Sequence, residues 1–288
     1  MARVSDAARE DRLRIKLVGE LALRLANEVI ESCVTRGVVT MPLKGVLLLA
    51  RWPELLGTRD LVDVDLLVRP DDMPAVVEVL KPHGFEKTAA SSASVTFASE
   101  ASPFSVDVHH RLFPHGLFHA PTAGMFARAA DDATLFAAPV ALMSDEDLMA
   151  HLIGHFVKGR GVFGSDKSLG DIRWLLEQGV FPLGAVEALA AHLQQLGLQR
   201  AAGYTLGHES FRPYPLVAAL LRSLRLTPID SLVIAGARLD TKLHASEPRW
   251  WTPHLLDRSL PAGSRSLALH AEEGALRLAR ALVERVRD

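Results

Sequence analysis

Leu61-Val62-Asp63-Val64-Asp65-Leu66-Leu67-Val68 is an aliphatic, β-branched run with no internal glycine or proline, a composition that strands favour. Side chains alternate across a strand, so Val62, Val64, Leu66 and Val68 are expected on one face and Asp63 and Asp65 on the other. Phe104-Ser105-Val106-Asp107-Val108-His109 repeats the arrangement, with Phe104, Val106 and Val108 on one face and Ser105, Asp107 and His109 opposite. If the two strands are neighbours, three carboxylates converge on one surface while both apolar faces are buried. Converging carboxylates are a site for a divalent metal.

Composition narrows what such a site can serve. The chain has 288 residues, 49% of them hydrophobic and 23% charged, the profile of a globular protein with one large domain or two ordinary ones. A net charge of −2 supplies no global basic field, so nucleic acid is not indicated as a partner by charge. The single cysteine, Cys33, excludes an internal disulfide framework and lies in a helical apolar pattern, as a buried structural thiol would. The charged N-terminus lacks an apolar core of signal-peptide length, and no stretch is apolar enough to span a bilayer. The expectation is a cytoplasmic protein without a membrane partner.

Around the acidic strands the chain reads as β-α-β-α-β-β-β. A helix from about Ser5 to Arg36 carries Ile15, Val18, Leu21, Leu25, Val29 and Ile30 at helical spacing. A strand over 38–41, a helix over 46–51, the acidic strand, a helix begun at Asp71 or Asp72, and three short strands over 85–88, 95–99 and 104–110 follow. That order describes a small mixed sheet with helices on one side. After Pro139 the chain turns rich in alanine and leucine. Ser144-Asp145-Glu146-Asp147 is a helix start, with a capping serine and an acidic residue three positions on. A bundle of about six helices is expected from there, ending in the periodic segment 267–286. The expected class is α+β: residues 1–36 as an N-terminal helix packed on a sheet domain at 37–138, then an α-helical domain at 139–288.

Leu43-Lys44-Gly45, Arg59, Asp63-Val64-Asp65-Leu66-Leu67-Val68 and Val106-Asp107-Val108-His109 together resemble the nucleotidyltransferase superfamily with a DNA-polymerase-β-like palm. More narrowly, they resemble its bacterial "uncharacterised nucleotidyltransferase" family, whose pattern continues in His151-x-x-x-His155 and Asp171-Ile172-Arg173-Trp174. The resemblance covers residues 38 to 178. It implies a palm domain that moves a nucleoside monophosphate from an NTP, ATP favoured, to an acceptor hydroxyl, using Mg²⁺ or Mn²⁺ and releasing pyrophosphate. Asp63 and Asp65 would then bind both metals and Asp107 the catalytic one. Gly45 would let backbone amides approach the triphosphate at a helix start, and Lys44 would meet a phosphate oxygen. Most of the superfamily has Gly-Ser at this helix, whereas Val46 follows Lys44-Gly45 here and offers no hydroxyl.

Other residues on the nucleotide side are Arg59, His109, Lys167 and Asp171, and each has a plainer reading. Arg59 either pairs with a phosphate or bridges Asp60 or Asp63; Lys44 is otherwise a solvated helix-start lysine. His109 either bonds to a metal-bound water or the acceptor, or is an ordinary strand-end histidine. Lys167 closes the Gly-rich basic stretch 158–167, which is either a loop over the triphosphate or a helix connection without Walker spacing. Asp171 can hold one of the histidines or Arg173 in place. His151 and His155, at i and i+4, have zinc-compatible spacing but no third ligand nearby, so packing or hydrogen bonding is the better reading. Trp250-Trp251 can stack a base or plug a core. Two further readings use the same residues: a non-catalytic, antitoxin-like module that binds nucleotide or a partner, and a phosphotransferase. Three unused carboxylates would repel one another, which argues against the module.

Overall fold

A computed structural model describes residues 6–159, 167–243 and 252–257. The described chain divides into two compact units, one from residues up to Pro114 and Ala120–Leu148, the other from His115–His119 and residues from Met149 on. The division falls inside a helix, Asp145–Lys158, and not at the composition change near Pro139.

The first unit is the sheet unit, and its element order is the one expected. Helix α1 (Asp6–Val34) is followed by β1 (Met41–Pro42), α2 (Lys44–Arg51), β2 (Asp63–Leu67), α3 (Met73–Leu80), β3 (Glu86–Ala90), β4 (Ser94–Ala98) and β5 (Ser105–His109). The strands form one sheet in the order β1-β2-β5-β4-β3. β2 and β5 run parallel in the centre, and every other pairing is antiparallel. Val64, Leu66, Val106 and Val108 are fully buried, and α1 packs on α2, α3 and β2. This apolar face is what fixes the register, because slipping one residue would bury the carboxylates and expose the valines. β3 is exposed along its whole length, as an edge strand carrying Glu86 and Lys87 can be. Cys33 is buried in this unit, and burial, reinforced by Asp72, pushes its thiol up to about 11, so it is an inert structural thiol.

Two local expectations are corrected. The acidic strand starts at Asp63, not Leu61, and Val62 lies outside it at 61% exposure. The run 38–41 forms a strand only at its end, because β1 pairs with β2 solely through Met41 and Pro42. A further stretch completes the unit: α4 (Thr122–Arg128) and the hairpin of β6 (Ala130–Asp132) with β7 (Val140–Leu142). β7 is tied to the sheet unit by Ala141 N–H donating to the Thr40 carbonyl.

Helix α5 (Asp145–Lys158) begins where the capping pattern placed it, with the Asp147 amide donating to Ser144 Oγ. The second unit is helical. It holds α6 (Lys167–Glu177), α7 (Val186–Gln195), α8 (Gln199–Leu206), α9 (Pro215–Ser223), α10 (Pro228–Leu243) and α11 (Thr252–Leu256). Its core includes Phe156 stacked on Tyr204, with Phe211, Leu193 and Leu220 buried. A buried ion pair, Arg200 to Asp230, ties α8 to α10. The segment 267–286, the pair Trp250-Trp251 and most of the Gly-rich stretch 158–167 lie outside the described residues. No helix among the described residues is long and apolar enough to cross a membrane.

Candidate active site

The β2–β5 register decides where the carboxylates go. Asp63 lies opposite Ser105, Asp65 opposite Asp107, and Leu67 opposite His109. Paired residues of adjacent strands share a face, so Asp63, Asp65, Ser105, Asp107 and His109 occupy one surface, the reverse of the valine core. The sequence anticipated the shared face; the pairing makes Asp65 and Asp107 direct cross-strand neighbours. β4 extends this surface, because Thr96 lies opposite Asp107 and Ser94 opposite His109. Those two were not singled out from the sequence, although Ser94-Val95-Thr96-Phe97 alternates just as β2 and β5 do.

Asp65 is the centre of the charge network. It is 3% exposed and accepts on one oxygen, Oδ1, from both Lys44 Nζ at 2.7 Å and His109 Nε2 at 2.9 Å. Burial works against its charge, but the Lys44 ammonium and the His109 hydrogen bond outweigh burial and hold the carboxyl well below the usual carboxylate range. An ionised carboxylate only accepts, so His109 Nε2 carries the proton in this bond. His109 is buried.

Lys44 reaches Asp65 for a local reason. The Leu43 amide donates to the Asp65 carbonyl at 3.0 Å, which pins the start of α2 beside β2. Lys44 itself sits at φ 45°, left-handed backbone that a non-glycine residue adopts at a cost of roughly 1–3 kcal/mol. Its side chain is only 14% exposed. Lys44 is therefore not a solvated helix-start lysine; in this structure it is an internal counter-ion to Asp65. Gly45 is required by close packing. A Cβ there would lie 2.5 Å from Arg59 Nη1 and would run into Leu61 Cδ2, so Arg59 lies across the first turn of α2.

Among the described residues one group could hold a metal ion: Asp65, Asp107 and His109, whose ligand atoms all lie within 4.8 Å of one another. Asp63, half-buried one pleat away, is not part of it. The donor set suits a hard divalent cation, with two carboxylates as ligands and His109 placed to orient Asp65. Asp107 Oδ1 is buried and lacks a hydrogen-bond partner, the condition in which a carboxylate oxygen is most in need of a cation. The residues present fit a divalent metal.

Two of the expected residues are on helix α6. Lys167, exposed, begins α6 and Asp171 is buried in the same helix, both in the second unit. His151 and His155 meet edge to face with ring centroids 6.1 Å apart, and His155 Nδ1 lies 3.1 Å from Ser168 Oγ.

Residues 2–209 match the uncharacterised nucleotidyltransferase family. The chain belongs to that family. As a nucleotidyltransferase it is an enzyme of nucleotidyl transfer, with the mixed α+β fold expected of it. No curated protein matches the chain. Solved structures resemble it distantly. The solution structure of the antibiotic-resistance factor ANT(2'')-Ia is 14% identical, covering 77% of this chain and 97% of that one, with a TM-score of 0.43. The crystal structure of ANT(2'')-Ia in complex with adenylyl-2''-tobramycin is 15% identical, covering 60% and 97%, with a TM-score of 0.44. JHP933 from Helicobacter pylori is 12% identical, covering 85% and 98%, with a TM-score of 0.33.

Proposed function

We propose that this nucleotidyltransferase moves a nucleoside monophosphate from an NTP, ATP favoured, to a hydroxyl of a small molecule, a protein side chain or an RNA end, with release of pyrophosphate. The observation that carries the reading is the pair Asp65 and Asp107, opposite each other on the central parallel strands, with Asp107 Oδ1 buried and unpartnered. Asp65 and Asp107 would hold Mg²⁺ or Mn²⁺, and Asp63, on the same face, would complete the set for a second ion. The metal would supply charge to the triphosphate and acidify the acceptor hydroxyl. Asp107, in the middle of β5 and partly exposed, would take the proton from that hydroxyl. His109 fixes the direction in which Asp65 presents its oxygens. Arg59, lying across the start of α2, supplies fixed positive charge for a phosphate oxygen. The place of Lys167 and Asp171 in nucleotide binding rests on the family resemblance alone.

The test is label transfer. Each α-labelled NTP is incubated with the protein, Mg²⁺ and a cell lysate, beside Asp63→Asn and Asp107→Asn variants. Label appearing on an acceptor with the wild type and lost in both variants is expected. No transfer and no pyrophosphate from any NTP overturns the reading; label that follows only the γ-phosphate replaces it with a phosphotransferase.

A further inference from the structure

Lys44 is placed where a metal ion would have to contend with it. Its ammonium bonds at 2.7 Å to the carboxylate that stands opposite Asp107, and both partners are almost closed to water, at 14% and 3% exposure. A divalent ion bound to Asp65 would share that carboxylate with the ammonium in a poorly hydrated site, where like charges repel strongly. The position is also held against the backbone's own preference. Lys44 takes left-handed φ, which glycine would accept without strain, at the first residue of α2. The strain persists because the Leu43–Asp65 backbone bond and the Lys44–Asp65 ion pair hold it from two sides. Strain of this kind concentrates at sites where it serves a mechanism.

We propose that Lys44 is an internal cation that occupies Asp65 until a triphosphate draws its ammonium away, so that metal and nucleotide enter this site together and bare metal binds weakly. This inference rests on the metal reading of Asp65 and Asp107 given above. With the nucleotide absent, Lys44 neutralises Asp65 and keeps the buried carboxylate from repelling Asp107. A triphosphate offers the ammonium a more highly charged anion, and the long lysine side chain exchanges one partner for the other without a change in α2. Asp65 is then released to the metal in the same event. No bond is made or broken; one ion pair is exchanged for another. The acceptor hydroxyl therefore never meets a metal-loaded site that lacks nucleotide.

The test uses the full chain, with Mn²⁺ binding read from the signal of the free ion by electron paramagnetic resonance and with thermal melts alongside. Lys44→Gly suits the left-handed backbone and so is expected to fold; Lys44→Gln and Lys44→Arg accompany it. With Mn²⁺ alone, Lys44→Gly and Lys44→Gln should bind at least tenfold tighter than the wild type, and Lys44→Arg should resemble the wild type. A merely structural lysine would give loss of affinity, not gain. Adding Asp107→Asn to Lys44→Gly should abolish the gain. Inorganic tripolyphosphate replaces the nucleotide, so that base preference does not enter. Mn²⁺ and tripolyphosphate together should raise the melting temperature of the wild type where neither does alone, whereas Mn²⁺ alone should suffice for Lys44→Gly. Equal Mn²⁺ affinity in wild type and Lys44→Gly overturns the inference while leaving the metal site standing. If no variant binds Mn²⁺, with or without tripolyphosphate, the metal reading itself falls.

Discussion

Two buried aspartates in the sheet unit are satisfied in opposite ways. Asp147, fully buried at the start of α5, is met by a fork from Arg128, Nε to Oδ2 at 2.9 Å and Nη2 to Oδ1 at 2.8 Å. Ser144 Oγ donates to Oδ2 as well and accepts from the Asp147 amide, capping the first turn of α5. Asp65 has two donors crowded on one oxygen, one of them on a strained lysine, and its cross-strand neighbour Asp107 keeps a buried oxygen unpartnered. The first arrangement is complete and locks α4 to α5. The second leaves a buried carboxylate oxygen unpartnered. The two differ in where their donors come from: one is closed by a fork from its own chain, the other is left open on one side.

The comparison breaks most readily at Asp107. Asp107→Asn should lower nucleotidyl transfer by a factor of about a thousand or more, at the scale of losing a main electrostatic element of catalysis. Its melting temperature should stay level or rise, because the change removes a buried charge without a donor. A clear fall in melting temperature would place Asp107 with Asp147 as a structural carboxylate. The opposite outcome is expected at Asp147. Asp147→Ala removes the fork from Arg128 and the hydrogen bond from Ser144 and should cost about 1–3 kcal/mol in denaturant unfolding, with transfer per folded molecule little changed.

Gly45→Ala is intermediate. The added methyl meets Arg59 and Leu61, an overpacking cost of roughly 1–3 kcal/mol by denaturant unfolding. It should also weaken nucleotide binding in calorimetry, since Arg59 must move. The smallest effect is the acid limb of stability. Asp65 has a depressed folded-state pKa, so its contribution is fully present above its unfolded value, about pH 4, and is lost as pH falls further. An Asp65→Asn variant should therefore lose less stability than the wild type on titration below about pH 4. Parallel acid limbs in the two proteins would remove the claim that Lys44 and His109 stabilise the ionised form.

Much of this contrast was legible in the residue order. Alternation in β2 and β5 assigned each aspartate its face, and the Ser144–Asp147 pattern located the start of α5. Val62 was misplaced because alternation says nothing about where pairing stops, and β2 begins only where β5 offers Ser105 as a partner. The Lys44–Asp65 ion pair was out of reach for a different reason. It depends on one positive φ angle and on a backbone bond between Leu43 and Asp65, neither of which leaves a mark in side-chain chemistry. The β6–β7 hairpin was missed because Ala130-Asp131-Asp132 lacks the β-branched residues by which a strand is recognised. The Ala/Leu-rich second half gave its helical class through composition, while the pairing of α8 with α10 depends on contacts such as Arg200–Asp230 that join distant turns.

The parallel pairing of β2 with β5 has a temporal consequence. Helix α3 and strands β3 and β4 all lie between the two strands in the chain, so Asp65 and Asp107 become neighbours only after that whole loop has closed. Loop closure of this kind is a slow, non-local step in folding. During synthesis, a nascent chain that has emerged through β4 carries Asp65 without its counterpart. The surface that Asp65 and Asp107 share therefore does not exist until β5 has been made and has docked beside β2.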